Sequence, residues 1–327
     1  MGYSVQVIAR AQQRLAEQKA DQESRCRAAL QEAYARVPRL RELDAQLRRT
    51  MTLAARAAFV EGSDAREAMA AAKEANLALQ AERQQLIETC LPKGFLDETS
   101  ICDRCGGNGY LGSAMCACLS RLCVEEQKKE IALLTTGQET FDRFRLDYYP
   151  DRVDPAYGAS PRAIMERNFK YCRQYAQSFA PGIGNLLFVG GTGLGKTYLS
   201  ACIANAVTDK GFSVAYESAP SLFAKLEKER FQHDEESHEE IAALKNCDLL
   251  IIDDLGTEMA GSFVTAALYA LLNDRLLAEK NMLISTNLNV DEMAKRYSPQ
   301  IASRVQGQFR GLTFVGEDIR VLKSRGV

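Results

Sequence analysis

The run Gly190-Gly191-Thr192-Gly193-Leu194-Gly195-Lys196-Thr197, followed by Tyr198, satisfies G-x-x-x-x-G-K-[ST] at every position. Glycines let consecutive backbone N–H groups turn inward around a phosphate, and the positive end of the following helix strengthens the field there. In such a loop Lys196 reaches the β- and γ-phosphates and the Thr197 hydroxyl ligates Mg²⁺. Farther along, Leu249-Leu250-Ile251-Ile252 is an apolar strand that ends in Asp253-Asp254. Asp253 suits the metal shell and Asp254 the polarisation of an attacking water. Ser285-Thr286-Asn287 closes another apolar strand, and Asn287 either orients that water or begins a turn. Arg304 is the candidate finger offered to a neighbouring subunit's nucleotide, and Arg320 the candidate contact to the γ-phosphate. A surface salt bridge is the alternative for each arginine. Together these residue types point to ATP bound with Mg²⁺ and hydrolysed.

A second cluster carries different chemistry. Cys102-Asp-Arg-Cys105 runs into Gly107 and Gly109, and Cys116-Ala-Cys118 follows. Four thiolates at such spacing close a tetrahedral Zn²⁺ site with no open position for water, so its role would be structural. A redox C-x-x-C or incidental clustering are the alternatives, and Cys123 is a spare thiol able to substitute. Cys26, Cys90, Cys172, Cys202 and Cys247 are scattered and read as packing residues.

The elements that must position these groups follow from periodicity. Asn185–Val189 is the strand before the phosphate loop, and Leu199 to Val207 the helix after it. Phe212–Tyr216, Asp248–Ile252, Asn281–Thr286 and Gly311–Val315 are four further strands. Helices at Ser221–Phe231 and Phe263–Leu277 separate them, and His233–Glu240 reads as a charged, solvated loop. Strands alternating with helices of this length demand a parallel sheet covered on both faces, an α/β fold. A helix with Ile164, Phe169, Tyr171 and Tyr175 precedes the core. Ahead of it Phe141, Phe144, Leu146, Tyr148 and Tyr149 either cover an adenine ring or are the packed start of the domain.

Residues 3 to 90 are rich in Ala, Leu, Gln, Glu and Arg, which favour helix. Pro38 ends the first helix near Val37. Leu40, Leu43, Leu47, Met51 and Ala54 form an apolar stripe, and Ser63-Asp64 caps a further helix with Ala72, Ala75, Leu79 and Leu86 on one face. Such a bundle either buries its own stripe or docks part of it on a partner. The expected organisation is a helical region at 1–97, a zinc module at 98–124, a linker at 125–160 and the nucleotide-binding domain at 161–327.

Bulk properties bound the rest. The chain has 327 residues, 46% hydrophobic and 26% charged, with a formal charge of −2. Any nucleic-acid contact must therefore be a local patch. No apolar run approaches the roughly 20 residues that cross a bilayer, and the N-terminus lacks the plan of a signal peptide. The expectation is a cytoplasmic protein with no membrane partner, its ten cysteines reduced.

The ordered set GGTGLGKT, LLIIDDLGTE, STN, the ASR arginine and GEDIR, behind a CxxCxGxG…CxC cluster and a helical region, resembles the DnaC/DnaI-type bacterial helicase-loader ATPases of the IstB-like group. The likeness covers residues 98–327 motif by motif and the N-terminus only in composition and order. It implies an AAA+ P-loop core with a five-stranded parallel sheet, Asn287 as sensor 1, Arg304 as the trans finger and Arg320 as sensor 2. It further implies binding to the replicative DNA helicase hexamer through the N-terminal region, contact with single-stranded DNA, and side-by-side homo-oligomers whose ATP state governs loading and release. The short run beyond Arg320 fits loaders that lack a C-terminal lid. A transposition helper ATPase of the same group, and a nucleotide-gated adaptor that does not hydrolyse, are the competing readings.

Overall fold

A computed structural model describes residues 2–57, 63–96, 100–134, 138–232 and 234–325, without the side chains of 51–72, 134 and 232. The Ser63-Asp64 cap, the stripe side chains of Met51, Ala54 and Ala72, and His233 lie outside the described residues. Two compact units divide the chain, one of residues 14–112 and the other of residues 1–13 with 113–327.

Three helices dominate the first unit: α1 (Val5–Arg36, which begins in the other unit), α2 (Pro38–Ala57) and α3 (Ser63–Cys90). Pro38 occupies the first helical position of α2, where its missing N–H costs nothing, so the break falls where the proline predicts it. Leu40 and Leu43 are buried, and Ala33, Leu40 and Leu91 form a small core with Tyr34, Val37, Leu86, Ile87, Phe95 and Leu96 packed on it. Arg83 bridges to Asp44 at 2.7 Å and Arg39 to Glu82 at 2.9 Å, which ties α3 to α2. Ala75 and Leu79 contribute little, because α3 is mostly exposed along that stretch.

The second unit is built on a five-stranded sheet. After β1 (Tyr110–Leu111), which closes the first unit, this unit runs through β2 (Ala114–Met115), α4 (Ala117–Leu134) and α5 (Pro161–Gln177). They are followed by β3 (Asn185–Val189), α6 (Lys196–Asp209), β4 (Val214–Ser218), α7 (Ala219–Gln232) and α8 (Glu235–Asn246). The chain continues through β5 (Leu249–Leu255), α9 (Ser262–Leu277), β6 (Asn281–Thr286), α10 (Val290–Arg296), α11 (Pro299–Gln308), β7 (Phe309–Thr313) and α12 (Ile319–Ser324). The sheet order is β4-β5-β6-β3-β7, with every pair parallel. Alternate residues feed two cores: Leu186, Phe188, Leu249, Ile251 and Leu283 meet α5 and α6, whereas Leu187, Leu250, Ile252, Met282 and Ile284 meet α7 to α11. Burial on both faces explains why these strands read as unbroken apolar runs.

Two features depart from the sequence reading. The expected loop at 233–240 is largely the first half of α8: Asp234 caps it by accepting from the Ser237 N–H at 2.7 Å, and Glu235 and Glu236 lie at its positive end. Ser237, Ile241 and Leu244 are its buried face, so the charge that suggested a loop is the solvent face of a helix. Strand ends also shift by two residues, from 212–216 to Val214–Ser218 and from 311–315 to Phe309–Thr313. The fully buried Arg275 of α9 donates to the carbonyls of Leu244 and Lys245 in the last turn of α8, to that of Cys247 just after it, and to that of Asn281 at the start of β6. It thereby neutralises the negative end of α8 and fixes the strand that leads to Asn287. Among the described residues no helix is long and apolar enough to cross a membrane.

Candidate functional site

The sheet brings the ends of β3, β5 and β6 side by side, because β6 pairs with β3 on one side and β5 on the other. In open parallel sheets the ligand crevice lies beyond the carboxyl ends of the strands. The phosphate loop leaves β3 held between its neighbours: Gly190 N donates to Thr286 O at 3.2 Å and Phe314 N to Val189 O at 2.7 Å. A β-carbon at Gly190 would overlap the Phe314 carbonyl, and one at Gly193, where φ is +72°, would overlap the Asp318 carboxylate. At Gly190 the obstacle is backbone and cannot yield, whereas at Gly193 the carboxylate can move but the positive φ strains any residue other than glycine. Lys196, Thr197 and Tyr198 form the first turn of α6, so the backbone N–H groups of that turn have no carbonyl four residues behind them and face the loop.

The buried Lys196 donates through Nζ to Gly190 O and Gly191 O, both at 2.7 Å, and to Asn287 Oδ1 at 2.6 Å. Its pKa is lowered, first by burial and also by Arg320, against the opposing pull of Asp254 and Asp253. Asn287 is thus in contact with the loop lysine. Asp253 is buried, and both its oxygens accept hydroxyl bonds, Oδ2 from Tyr216 at 2.9 Å and Oδ1 from Ser285. The same Ser285 oxygen accepts from the Asp254 N–H at 2.9 Å. The β5–β6 register slips between Ile252 and Leu255, and Asp254 there has φ +54°. Such a bulge turns consecutive side chains to different places, which lets two adjacent carboxylates do different work. Asp254 has a raised pKa, caused first by burial and then by Asp253, with Lys196 and Arg320 opposing.

Arg320 lies in the first turn of α12. Asp318 caps that helix by accepting from the Arg320 N–H at 2.8 Å, while Ile319 N donates to Gly193 O at 3.0 Å. The Gly316-to-Arg320 turn therefore sits on the phosphate loop and carries the Arg320 charge within electrostatic reach of Lys196 and Asp254. Arg304 is placed differently. It lies on α11 against α9, donating to Asn273 Oδ1 at 2.7 Å.

The aromatic segment packs rather than lines. Tyr149 is fully buried and donates to Leu194 O at 2.9 Å, and Phe144 stacks on Phe169 with centroids 5.2 Å apart. Residues just beyond it, including Pro150, Val153 and Tyr157, line a cleft of about 740 Å³ with Gly190, Gly191 and Phe314. The sequence alone assigns no site role to Tyr216, Ser285 or Asp318, and Tyr149 reads there only as part of the aromatic segment. Ser285 lies inside the Ser-Thr-Asn run and Asp318 inside GEDIR, and those motifs are the signals that could have found them.

Cys102, Cys105, Cys116 and Cys118 hold their sulfurs within 4.8 Å of one another, and Gly109 N donates to Cys105 Sγ at 3.3 Å. Zinc–sulfur bonds of about 2.3 Å in a tetrahedron require sulfurs about 3.8 Å apart, so the donor set fits the ion. Cys123 is not part of the cluster; it lies against Met115, and burial pushes its thiol up to about 11. Of the scattered cysteines, Cys172, Cys202 and Cys247 are buried as packing residues should be, whereas Cys90 is exposed.

Parallel strand order, phosphate loop, bulged acidic strand and Asn287 together define a P-loop α/β core with a candidate nucleotide site. Residues 169–303 match the family described as IstB-like ATP binding protein. The chain is similar to the replicative helicase loader DnaC of Escherichia coli K12, with 27% identity over 135 residues, 41% of this chain and 55% of DnaC. It is similar also to the replicative helicase loader DnaI of Bacillus subtilis 168, with 25% identity over 178 residues and 54% of each chain. The chain thus spans about half the length of these relatives. A crystal structure of the DnaC helicase loader superposes with a TM-score of 0.46 at 20% identity, over 54% of this chain and 97% of that one.

Proposed function

We propose that this protein is an ATP-hydrolysing helicase loader, which binds a replicative DNA helicase ring and helps place it on single-stranded DNA. The observation that carries the ATPase reading is the convergence of Lys196, Asn287, Asp253 and Asp254 on the ends of three adjacent strands. In this reading the phosphate-loop amides from Gly190 to Tyr198 cradle the phosphates, and Lys196 exchanges its carbonyl and amide partners for the β- and γ-phosphate oxygens. Thr197 and Asp253 supply the hard oxygen donors that suit Mg²⁺, which would neutralise phosphate charge. Tyr216 and Ser285 keep the Asp253 carboxylate oriented, as outer hydrogen bonds do for metal ligands. Asp254 polarises the attacking water and Asn287 orients it, while Arg320 approaches the γ-phosphate of its own chain. The cleft beside Gly190 takes the base. Arg304, held apart from this set on α11, reaches a neighbouring subunit's nucleotide within a homo-oligomer. The four clustered cysteines hold a structural Zn²⁺.

The loader reading is supported by the names of DnaC and DnaI, and places the protein in the cytoplasm with the helicase as partner. The IstB-like match over residues 169–303 favours one second reading, a transposition helper ATPase. Co-purification with the host's replicative helicase, with and without ATP, decides between them. A nucleotide-dependent complex that raises helicase occupancy on single-stranded DNA is expected. Absence of any helicase complex, with binding to a transposase instead, would favour the second reading.

A further inference from the structure

Arg304 is held from α9 by two groups of unlike chemistry. Its Nη1 donates to Asn273 Oδ1 at 2.7 Å, and its Cζ lies 4.4 Å from the centroid of the Tyr269 ring. Tyr269 and Asn273 are one turn apart on the same helix, so both face α11 from one side. Among the described residues no carboxylate pairs with Arg304. An amide oxygen and an aromatic face fix a guanidinium in direction and leave its charge unneutralised, where a carboxylate would cancel it. Only one of the several guanidinium donors is engaged by Asn273, so the others remain for a planar, bidentate approach to phosphate. Holding the long side chain beforehand also removes part of the ordering cost of reaching its target.

We propose that Tyr269 and Asn273 are positioning residues that aim Arg304 at the phosphates of a nucleotide bound by an adjacent copy of this chain. The proposal rests on the reading of Arg304 as a trans finger, and neither residue touches the nucleotide. Their substitution should therefore injure a chain as donor of the finger and spare it as owner of the phosphate loop.

Mixed assemblies on single-stranded DNA read the two roles apart. Arg304→Ala protein supplies intact loops without fingers, and Lys196→Ala protein supplies fingers without working loops. Their equimolar mixture should regain ATP hydrolysis that neither shows alone. Replacing the donor by Lys196→Ala/Asn273→Ala should lower the regained rate about ten-fold or more, the scale of losing a hydrogen bond to a charged group, and Lys196→Ala/Tyr269→Leu should lower it about three-fold, the scale of a cation–π contact. Lys196→Ala/Tyr269→Phe keeps the aromatic face and should donate as well as Lys196→Ala. In the converse arm, Arg304→Ala/Asn273→Ala mixed with Lys196→Ala should match Arg304→Ala mixed with the same donor. Sedimentation establishes that each pair co-assembles. A donor rate that is unchanged or higher without Asn273 or Tyr269 overturns the proposal, since those contacts would then be idle or would restrain the arginine. Equal loss in both arms overturns it as well, by marking a general effect on folding. If Lys196→Ala fails to rescue Arg304→Ala at all, the trans finger itself is wrong, and the positioning role falls with it.

Discussion

Tyr216→Phe removes one oxygen and nothing else, which makes it the cleanest probe of how the acidic strand is held. The ring stays in its buried place on β4, so no cavity term enters. What is lost is the 2.9 Å hydroxyl bond to Asp253 Oδ2, leaving Ser285 as the sole side-chain donor, among the described residues, to a carboxylate that is 6% exposed. A hydrogen bond to a charged group contributes about 1.5–3 kcal/mol. A domain of this size moves about 2–4 °C per kcal/mol, so the thermal midpoint should fall by about 3–12 °C. Calorimetry of the full chain measures it, read on the transition that ATP with Mg²⁺ raises, because ligand linkage identifies the nucleotide-binding unit in a chain of two units. ATP turnover should fall at limiting Mg²⁺ and recover in part when Mg²⁺ is abundant. A midpoint within 1 °C or so of the unsubstituted protein would refute the reasoning: Asp253 would then be held by the strand alone.

Two other substitutions follow from the same geometry. Gly193→Ala puts a β-carbon into the Asp318 carboxylate at a φ of +72°, so it should weaken ATP binding about five-fold or more by equilibrium titration, on the scale of about 1–3 kcal/mol of backbone strain; unchanged affinity would mean that the Gly316-to-Arg320 turn does not bear on the loop. Cys102→Ser should cost the protein its Zn²⁺, measured by elemental analysis as one ion per chain before and none after, while ATP affinity is retained. Absence of zinc from the unsubstituted protein, purified without chelator, would remove the metal from the account.

Legibility in the sequence followed from whether a chemical group is assembled locally. The phosphate loop needs contiguous glycines, a lysine and a threonine in fixed order, so backbone and side-chain chemistry are written together. Asp253 and Asp254 were readable for the same reason, being the polar end of a run whose apolarity reflects burial on both faces of a parallel sheet. The partners that hold them were not: Tyr216 comes from β4 and Ser285 from β6, and only the sheet order sets them around β5. Asp318 likewise stands over Gly193 because β7 returns beside β3. The turn that follows Asp254 hides a further clamp, in which the buried Glu258 accepts from Gly256 N at 2.9 Å and from the Tyr297 hydroxyl at 2.5 Å. The acidic start of α8 misled for a different reason. Its negative charges are solvent-facing and favourable at a helix N-terminus, and a buried face spaced three and four residues apart is faint in so short a helix.

The central claim is that Asp254 acts on the attacking water while the loop around Lys196 does the binding. Paired measurement of ATP affinity and steady-state turnover for Asp254→Asn, with single-stranded DNA and the helicase present, tests it most directly. Affinity within about three-fold of the unsubstituted protein, with turnover reduced by about 10²-fold or more, is the predicted result. Unimpaired turnover, or affinity lost together with turnover as in Lys196→Ala, would contradict the division of labour on which the account stands.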